Sequence, residues 1–86
     1  MPTDDCRQVI DELKRNKKNR TPAELVAILE RFGFKEHPRS GGSHRPLSKP
    51  GCDLNVSVPD GGKSTVLVPY VRKVIRALEE CCDDGE

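Results

Sequence analysis

The chain has 86 residues, two Phe, one Tyr, no Trp and a formal net charge of +1. A chain of this length forms one small domain with a thin core, which excludes a second domain or a large cofactor cleft. No apolar run approaches the roughly 18 residues that cross a bilayer, and the N-terminus lacks the basic start and apolar stretch of an export signal, so the expected location is the cytoplasm.

A first helix is predicted over residues 4–15. Its apolar residues recur at helical spacing, so that one side of the helix can pack against the rest of the chain. These residues are Cys6, Val9, Ile10 and Leu13. The polar and basic stretch NKKNR, which follows directly, is typical of a loop.

A second helix, over residues 22–32, carries the clearest local signals in the chain. Thr21 is placed to cap the helix, Pro22 suits its first position, and Glu24 completes a capping box. Gly33 is placed to end the helix in a left-handed turn. Its apolar face consists of Leu25, Ile28, Leu29 and Phe32.

Short runs bounded by Gly, Pro and Ser follow the second helix and predict three strands. The predicted strands span residues 34–39, 43–48 and 53–58, with turns at 41–42 and 49–51. In the third strand Leu54, Val56 and Val58 alternate with polar residues, which indicates one packed and one solvated face. Pro38 and Pro46 favour edge positions or bulges in the first two strands.

A third helix closes the chain and begins near Pro69. Its predicted buried stripe consists of Leu67, Val71, Val74, Ile75 and Leu78. Three basic residues lie off this stripe, towards solvent, and are Arg72, Lys73 and Arg76. The order α-α-β-β-β-α predicts an α+β fold with a three-stranded antiparallel sheet. Because three meandering strands do not hold a sheet alone, the helices must cover one face, and the other face stays open and polar.

The stretch RSGGSHRPLS places a histidine directly behind two glycines. If Leu47 points towards the helices, alternation turns His44 towards the open face, unless Pro46 introduces a bulge that shifts the register. The open face would then hold His44, Pro46, Ser48, Asn55 and Ser57. The opposite side, shared with Leu47, would hold Ser43 and Arg45.

The residues around His44 suit chemistry on a phosphate. Gly41 and Gly42 let the backbone approach a ligand closely and offer amide donors to phosphate. Histidine exchanges protons near neutral pH and can therefore act as a general acid or base. An ordinary surface histidine explains the same pattern. His37, beside Pro38, is interpreted as structural or incidental.

Two other motifs are interpreted without catalytic chemistry. The stretch PDGGKST imitates a phosphate-binding P-loop but has Ser57 where the first glycine belongs, so it is interpreted as a turn in which Lys63 touches phosphate. The four cysteines include no CxxC pair. They are therefore interpreted as reduced thiols rather than as disulfides or a zinc site. We predict no metal and no cofactor.

The small net charge hides a basic middle between acidic ends. Residues 14–76 hold fourteen Lys or Arg and five Asp or Glu, whereas the last ten residues hold five acids and no cation. A basic middle favours an anionic partner such as nucleic acid, although an ordinary solvated surface explains the same charges.

Four segments together resemble the HicA-type toxins of bacterial toxin–antitoxin pairs. They are ELVAILERFGF (24–34), GGSHR (41–45), LNVSVPDGGK (54–63) and VPYVRKVIRAL (68–78). The resemblance implies a fold like that of the double-stranded-RNA-binding domain. It divides the chain into an N-terminal helix with a basic linker (1–20), a HicA-like α-β-β-β-α domain (21–82) and an acidic tail (83–86).

The resemblance also implies an activity, a partner and a site. HicA-type toxins are metal-independent endoribonucleases that cleave mRNA, and a HicB-type antitoxin covers their active site. The histidine of the GSH motif, His44 here, is the family's catalytic residue. Independently of the resemblance, the cations and glycine amides of this region are expected to hold the RNA phosphates, through Arg39, Gly41, Gly42, Ser43, Arg45, Lys49 and Lys63.

The chain departs from the family pattern at two places. Many relatives have an aromatic or hydrophobic pair shortly after the catalytic histidine, where Pro46 and Leu47 stand here. Many also have a second histidine where this chain has Asp60 and Gly61. These departures favour an alternative reading, a non-catalytic RNA- or protein-binding module of the same fold.

Overall fold

A computed structural model describes residues 4–38, 44–59 and 65–81. The described elements are α1 (Asp4–Arg15), α2 (Pro22–Arg31), β1 (Lys35–Glu36), β2 (His44–Ser48), β3 (Val56–Pro59) and α3 (Val68–Cys81). The strands form an antiparallel sheet in the order β1-β2-β3. This arrangement confirms the predicted α+β fold. No described helix has both the length and the apolar composition that a membrane span needs.

Local interactions at both ends explain why α2 forms. The Glu24 backbone N–H donates to the Thr21 hydroxyl at 3.1 Å, which satisfies one of the free amides of the first turn. At the other end Gly33 has a φ of 100°. The Phe34 N–H donates to the Leu29 carbonyl at 3.0 Å, and the Gly33 N–H donates to the Glu30 carbonyl at 3.2 Å. This pair of bonds is the Schellman motif that a left-handed glycine permits.

Arg20 is a buried junction between three parts of the chain. Its Nε donates to the Asn16 carbonyl at the end of α1, at 2.8 Å, and its Nη1 pairs with the Glu24 carboxylate in α2, at 2.5 Å. Its own carbonyl accepts from the Val66 N–H, just before α3, at 2.7 Å. The Glu24 side chain therefore binds Arg20, and the predicted capping box is only half formed. The predicted loop 16–20 thus contains an arginine that is only 9% exposed.

Two strands are shorter than the sequence predicts over the described residues. β1 includes two of the five predicted positions that the structure describes (34–38), and β3 begins at Val56 rather than at residue 53. Pro46 accounts for the short β1. The His37 N–H donates to the Pro46 carbonyl at 2.8 Å. Pro46 has no backbone N–H, so it cannot donate the second hydrogen bond of this pair to the His37 carbonyl.

One face of the sheet is packed and helices cover it. Leu47, Val56 and Val58 are at most 4% exposed and belong to one core cluster with residues from all three described helices. α1 contributes Cys6, Ile10 and Leu13 to this cluster, against α3.

The predicted buried stripe of α3 is correct except at one position. Leu67 precedes the helix and is 58% exposed, so its assignment to the stripe is wrong. Ala77 is buried instead, because it lies one turn beyond Val74 on the face that meets the core.

The interpretation of the cysteines as reduced thiols is wrong. Cys52, in the loop after β2, forms a disulfide with Cys81 at the end of α3, with the Cα atoms 5.8 Å apart. Cys6 is disulfide-bonded as well. The two residues of the Cys52–Cys81 bond are 29 positions apart in sequence, and only the packing of α3 beside the sheet brings them together.

Replacing Cys52 and Cys81 together by Ala is expected to lower the free energy of unfolding by about 2–4 kcal/mol, because the cross-link restricts the unfolded chain. Urea unfolding without reductant measures the change. In excess reductant, which opens the disulfide of the wild type, the free energies of unfolding of the two proteins should differ much less. This comparison is the matched control. Alkylation of Cys52 and Cys81 in the native, untreated protein would contradict the cross-link.

A surface ion pair makes a separate prediction for α1 and α3. The Lys14 Nζ lies 2.5 Å from the Glu79 carboxylate, and this hydrogen bond, with the charge of Glu79, raises the pKa of Lys14 above the ordinary value of a lysine. The contact therefore stabilises the fold below the unfolded pKa, and its contribution is lost as the pH rises through the folded pKa. Glu79→Gln should lower the titration midpoint of Lys14 by NMR. Glu80→Gln, whose carboxylate pairs with Arg76 instead, should leave the midpoint unchanged.

Candidate functional site

His44 is the first residue of β2 and its side chain is exposed. It stands directly opposite Pro59, and the pairing continues without a bulge through Pro46 with Ser57 and Leu47 with Val56. Since Leu47 is buried against the helices, alternation along β2 turns His44 and Pro46 to the opposite, open face. The structure thus has the side-chain orientation that the sequence pattern predicts for this strand.

The open face carries a second histidine. The Glu36–Leu47 pairing and the His37–Pro46 hydrogen bond place His37 beside Pro46, on the same face as His44. The His37 Nε2 shares a hydrogen bond with the Ser48 hydroxyl. His37 is therefore engaged by Ser48, whereas no described residue forms a hydrogen bond with the His44 imidazole.

Tyr70, in the first turn of α3, is the aromatic neighbour of His44. The ring centroids lie 6.3 Å apart, with the planes tilted by 50°. The Lys73 Nζ lies 5.4 Å from the centre of the Tyr70 ring. The sequence analysis missed this contact, because the sequence around Tyr70 indicates only that this residue belongs to the last helix. No local signal could have found it, since the two rings meet through the packing of α3 beside the sheet.

Arg45, a predicted phosphate ligand, is engaged elsewhere. Its Nε and Nη2 donate to the two carboxylate oxygens of Glu36, each at 2.9 Å. Both side chains are 23% exposed and share the helix-covered side of the sheet with Leu47. The structure therefore places the Arg45 side chain on the face opposite to His44.

Lys49, another predicted phosphate ligand, lies beyond the far end of β2. It lies five positions after His44, or roughly 16 Å along an extended chain. Its Nζ donates to the Cys81 carbonyl at 2.5 Å. Its side chain also runs close over Gly33, where a Cβ would come within 3.1 Å of the Lys49 Cε. The structure thus uses Lys49 to join the β2 end of the sheet to the end of α3.

The other predicted site residues lie outside the described part of the chain. They are Arg39, Gly41, Gly42, Ser43 and Lys63. In sequence, residues 39–43 directly precede His44 and residues 60–64 directly follow Pro59, its partner in the sheet. Within the described ranges, no group of three or more His, Cys, Asp or Glu side chains could hold a metal ion.

The Arg45–Glu36 pair is expected to contribute to stability. Arg45→Gln, Glu36→Gln and the double variant should give a coupling energy of about 1 kcal/mol in urea unfolding, because the contact is bidentate and partly buried. The matched control is the Arg76–Glu80 pair, which is 70% and 53% exposed and should couple more weakly. Equal coupling in the two pairs would contradict a structural role for Arg45.

Comparison with known proteins identifies a family. The family model described as the HicA toxin of bacterial toxin–antitoxin matches residues 22–80, which include α2, the sheet and nearly all of α3. No curated protein and no solved structure matches the chain. The matched segment spans well over half of the sequence and contains both His44 and Tyr70. On this match, the chain belongs to the HicA family of toxins from bacterial toxin–antitoxin systems.

Proposed function

We propose that this toxin is an endoribonuclease that cleaves mRNA, with His44 as the proton-transfer group, and that a HicB-type antitoxin neutralises it. The observation that carries the proposal is the position of His44. It is exposed at the start of the central strand, on the open face, and no described residue forms a hydrogen bond with its imidazole. A general base needs such access, because it must come within hydrogen-bond distance of the proton that it removes.

RNA supplies its own nucleophile for this reaction. The neutral His44 imidazole accepts the proton of a ribose 2′-hydroxyl while the 2′-oxygen forms a bond to the adjacent phosphorus. The bond from phosphorus to the 5′-oxygen breaks, and that oxygen takes a proton from water. The products are a 2′,3′-cyclic phosphate and a 5′-hydroxyl. No step calls for a metal ion, and positioned proton transfer of this kind contributes about 10²–10⁴-fold.

The electrostatics of the chain favour RNA as the substrate. The basic middle of the sequence includes three α3 cations that are exposed in the structure, which are Arg72, Lys73 and Arg76. Contacts between such cations and phosphates bind RNA without reading its sequence. Arg45 and Lys49 are engaged within the protein, so the proposal assigns phosphate contacts near His44 to Arg39, Lys63, Ser43 and the glycine amides by their sequence positions alone.

The same exposure gives an antitoxin access to His44. A HicA toxin belongs to a two-component system, so a partner protein is expected. An antitoxin that lies over the open face would cover His44 and keep RNA from reaching it. We therefore place the HicB-type partner on the face of the sheet that carries His44 and His37.

The activity is tested by incubating the purified protein with a long mRNA in excess chelator. The wild type should cut, and His44→Ala should lower the rate by at least about 100-fold, because it removes the base. His37→Ala is the matched control on the same face and should retain most of the activity. The fragments should end in 2′,3′-cyclic phosphates.

Several outcomes would overturn this proposal. Equal cleavage by the wild type and His44→Ala would exclude His44 as the proton-transfer group. Fragments with 3′-hydroxyl ends would exclude attack by the 2′-hydroxyl. Binding of RNA without cleavage by either protein would favour the non-catalytic binding module.

A further inference from the structure

The neighbourhood of His44 contains an aromatic ring and a cation that proton transfer does not use. Tyr70 lies 6.3 Å from His44, and the Lys73 ammonium lies 5.4 Å from the Tyr70 ring centre. Tyr70 is half-buried and packs against the core cluster, which holds the ring in place. Its hydroxyl has no hydrogen-bond partner among the described residues.

Lys73 is exposed and its contact with the ring is weak. At an exposed site a cation over an aromatic ring is held only loosely, because water competes for the ammonium. The Lys73 ammonium can therefore leave the ring and neutralise a phosphate. When it leaves, the ring can stack on another flat group.

A groove continues the surface beyond Lys73. It has a volume of about 240 Å³ and is lined by Leu54, Asn55, Val56, Lys73, Arg76 and Ala77. Typical small-molecule pockets are larger, at about 300–1,000 Å³, and mostly apolar. Arg76 also pairs with Glu80 at 3.1 Å, but both side chains are more than half exposed, so a phosphate can replace that carboxylate. Two cations and an amide beside a short apolar floor suit a segment of a polyanionic chain. Arg76 lies six residues after Tyr70, or roughly 9 Å further along the helix axis.

From these contacts we infer that Tyr70 and Lys73 form a binding site for an unpaired RNA nucleotide beside His44. The base stacks on Tyr70, its phosphate contacts Lys73, and the strand continues over the groove towards Arg76. The ligand class, RNA, rests on the proposed function. The new element is the assignment of the base to Tyr70 and of its phosphate to Lys73, which makes this site selective for an unpaired nucleotide.

The choice of single-stranded RNA follows from the ring. Bases inside a duplex are stacked on one another and cannot reach an aromatic side chain, whereas unpaired bases can. Proteins with the double-stranded-RNA-binding fold recognise duplexes by shape, mainly through phosphates and 2′-hydroxyls. An aromatic ring next to the catalytic histidine would not serve that mode of binding.

The test uses 2′-O-methyl RNA, which lacks the nucleophile, so that binding is measured without cleavage. Tyr70 is the only tyrosine of the chain, so its ring protons can be followed by NMR without ambiguity. A short single-stranded oligonucleotide should shift these signals upfield, as stacking does. The same oligonucleotide annealed to its complement should bind more weakly and shift them little. Inorganic polyphosphate, which has no bases, should bind without the upfield shift.

Variants measure the contributions of the two side chains. Tyr70→Ala should weaken binding of the single strand roughly 5- to 150-fold, as removal of a stacking platform does. Tyr70→Phe keeps the ring and should bind within about twofold of the wild type. Lys73→Ala should weaken binding. It should also reduce the slope of the logarithm of the binding constant against the logarithm of salt concentration by about one, as loss of one phosphate contact does.

The inference would be overturned by tight RNA binding that leaves the Tyr70 signals in place. It would equally be overturned if the duplex bound as tightly as the single strand, or if polyphosphate gave the same shift. Tyr70 signals that respond only to a protein partner would assign the site to the antitoxin. Because these measurements involve no cleavage, an inactive protein that still stacks a base on Tyr70 would overturn only the proposed catalysis.

Discussion

The burial of Leu47 in the central strand determines which side chains can reach the open face of the sheet. Leu47 is 1% exposed and is paired with Glu36 on one side and Val56 on the other. Because strand side chains alternate, this one anchor fixes the faces of the other β2 residues. A slip of one position would bury His44 and expose Leu47, so the same contact holds the core and the site in place.

Signals that lie within one turn or one strand could be interpreted from the sequence. Thr21 caps α2 and Gly33 ends it, because each acts through hydrogen bonds to residues at most a few positions away. The alternation that turns His44 outward is equally local. The lengths of the strands were harder to predict, because a strand continues only where its neighbour offers both a backbone donor and a backbone acceptor. Pro46 offers only an acceptor.

Contacts between distant parts of the chain could not be predicted in this way. The Cys52–Cys81 disulfide, the pairing of Arg45 with Glu36 and the approach of Tyr70 to His44 each depend on how one element lies on another. Arg45 illustrates the consequence for function. Alternation along β2 already predicted that Arg45 lies opposite to His44, which conflicts with its assignment as a phosphate ligand beside His44. The sequence could not show that Glu36 binds Arg45 on that side.

α1 has a consequence for how this protein relates to its family. The family match begins at residue 22, yet the core includes Cys6, Ile10 and Leu13 of α1, and Arg20 ties the end of α1 to α2. A fragment that began at residue 22 would expose the side of α3 that packs against α1. It would also lack the Arg20 carbonyl that accepts the Val66 N–H. α1 and the family-matched part therefore share one core, and α3, which carries Tyr70, packs against α1.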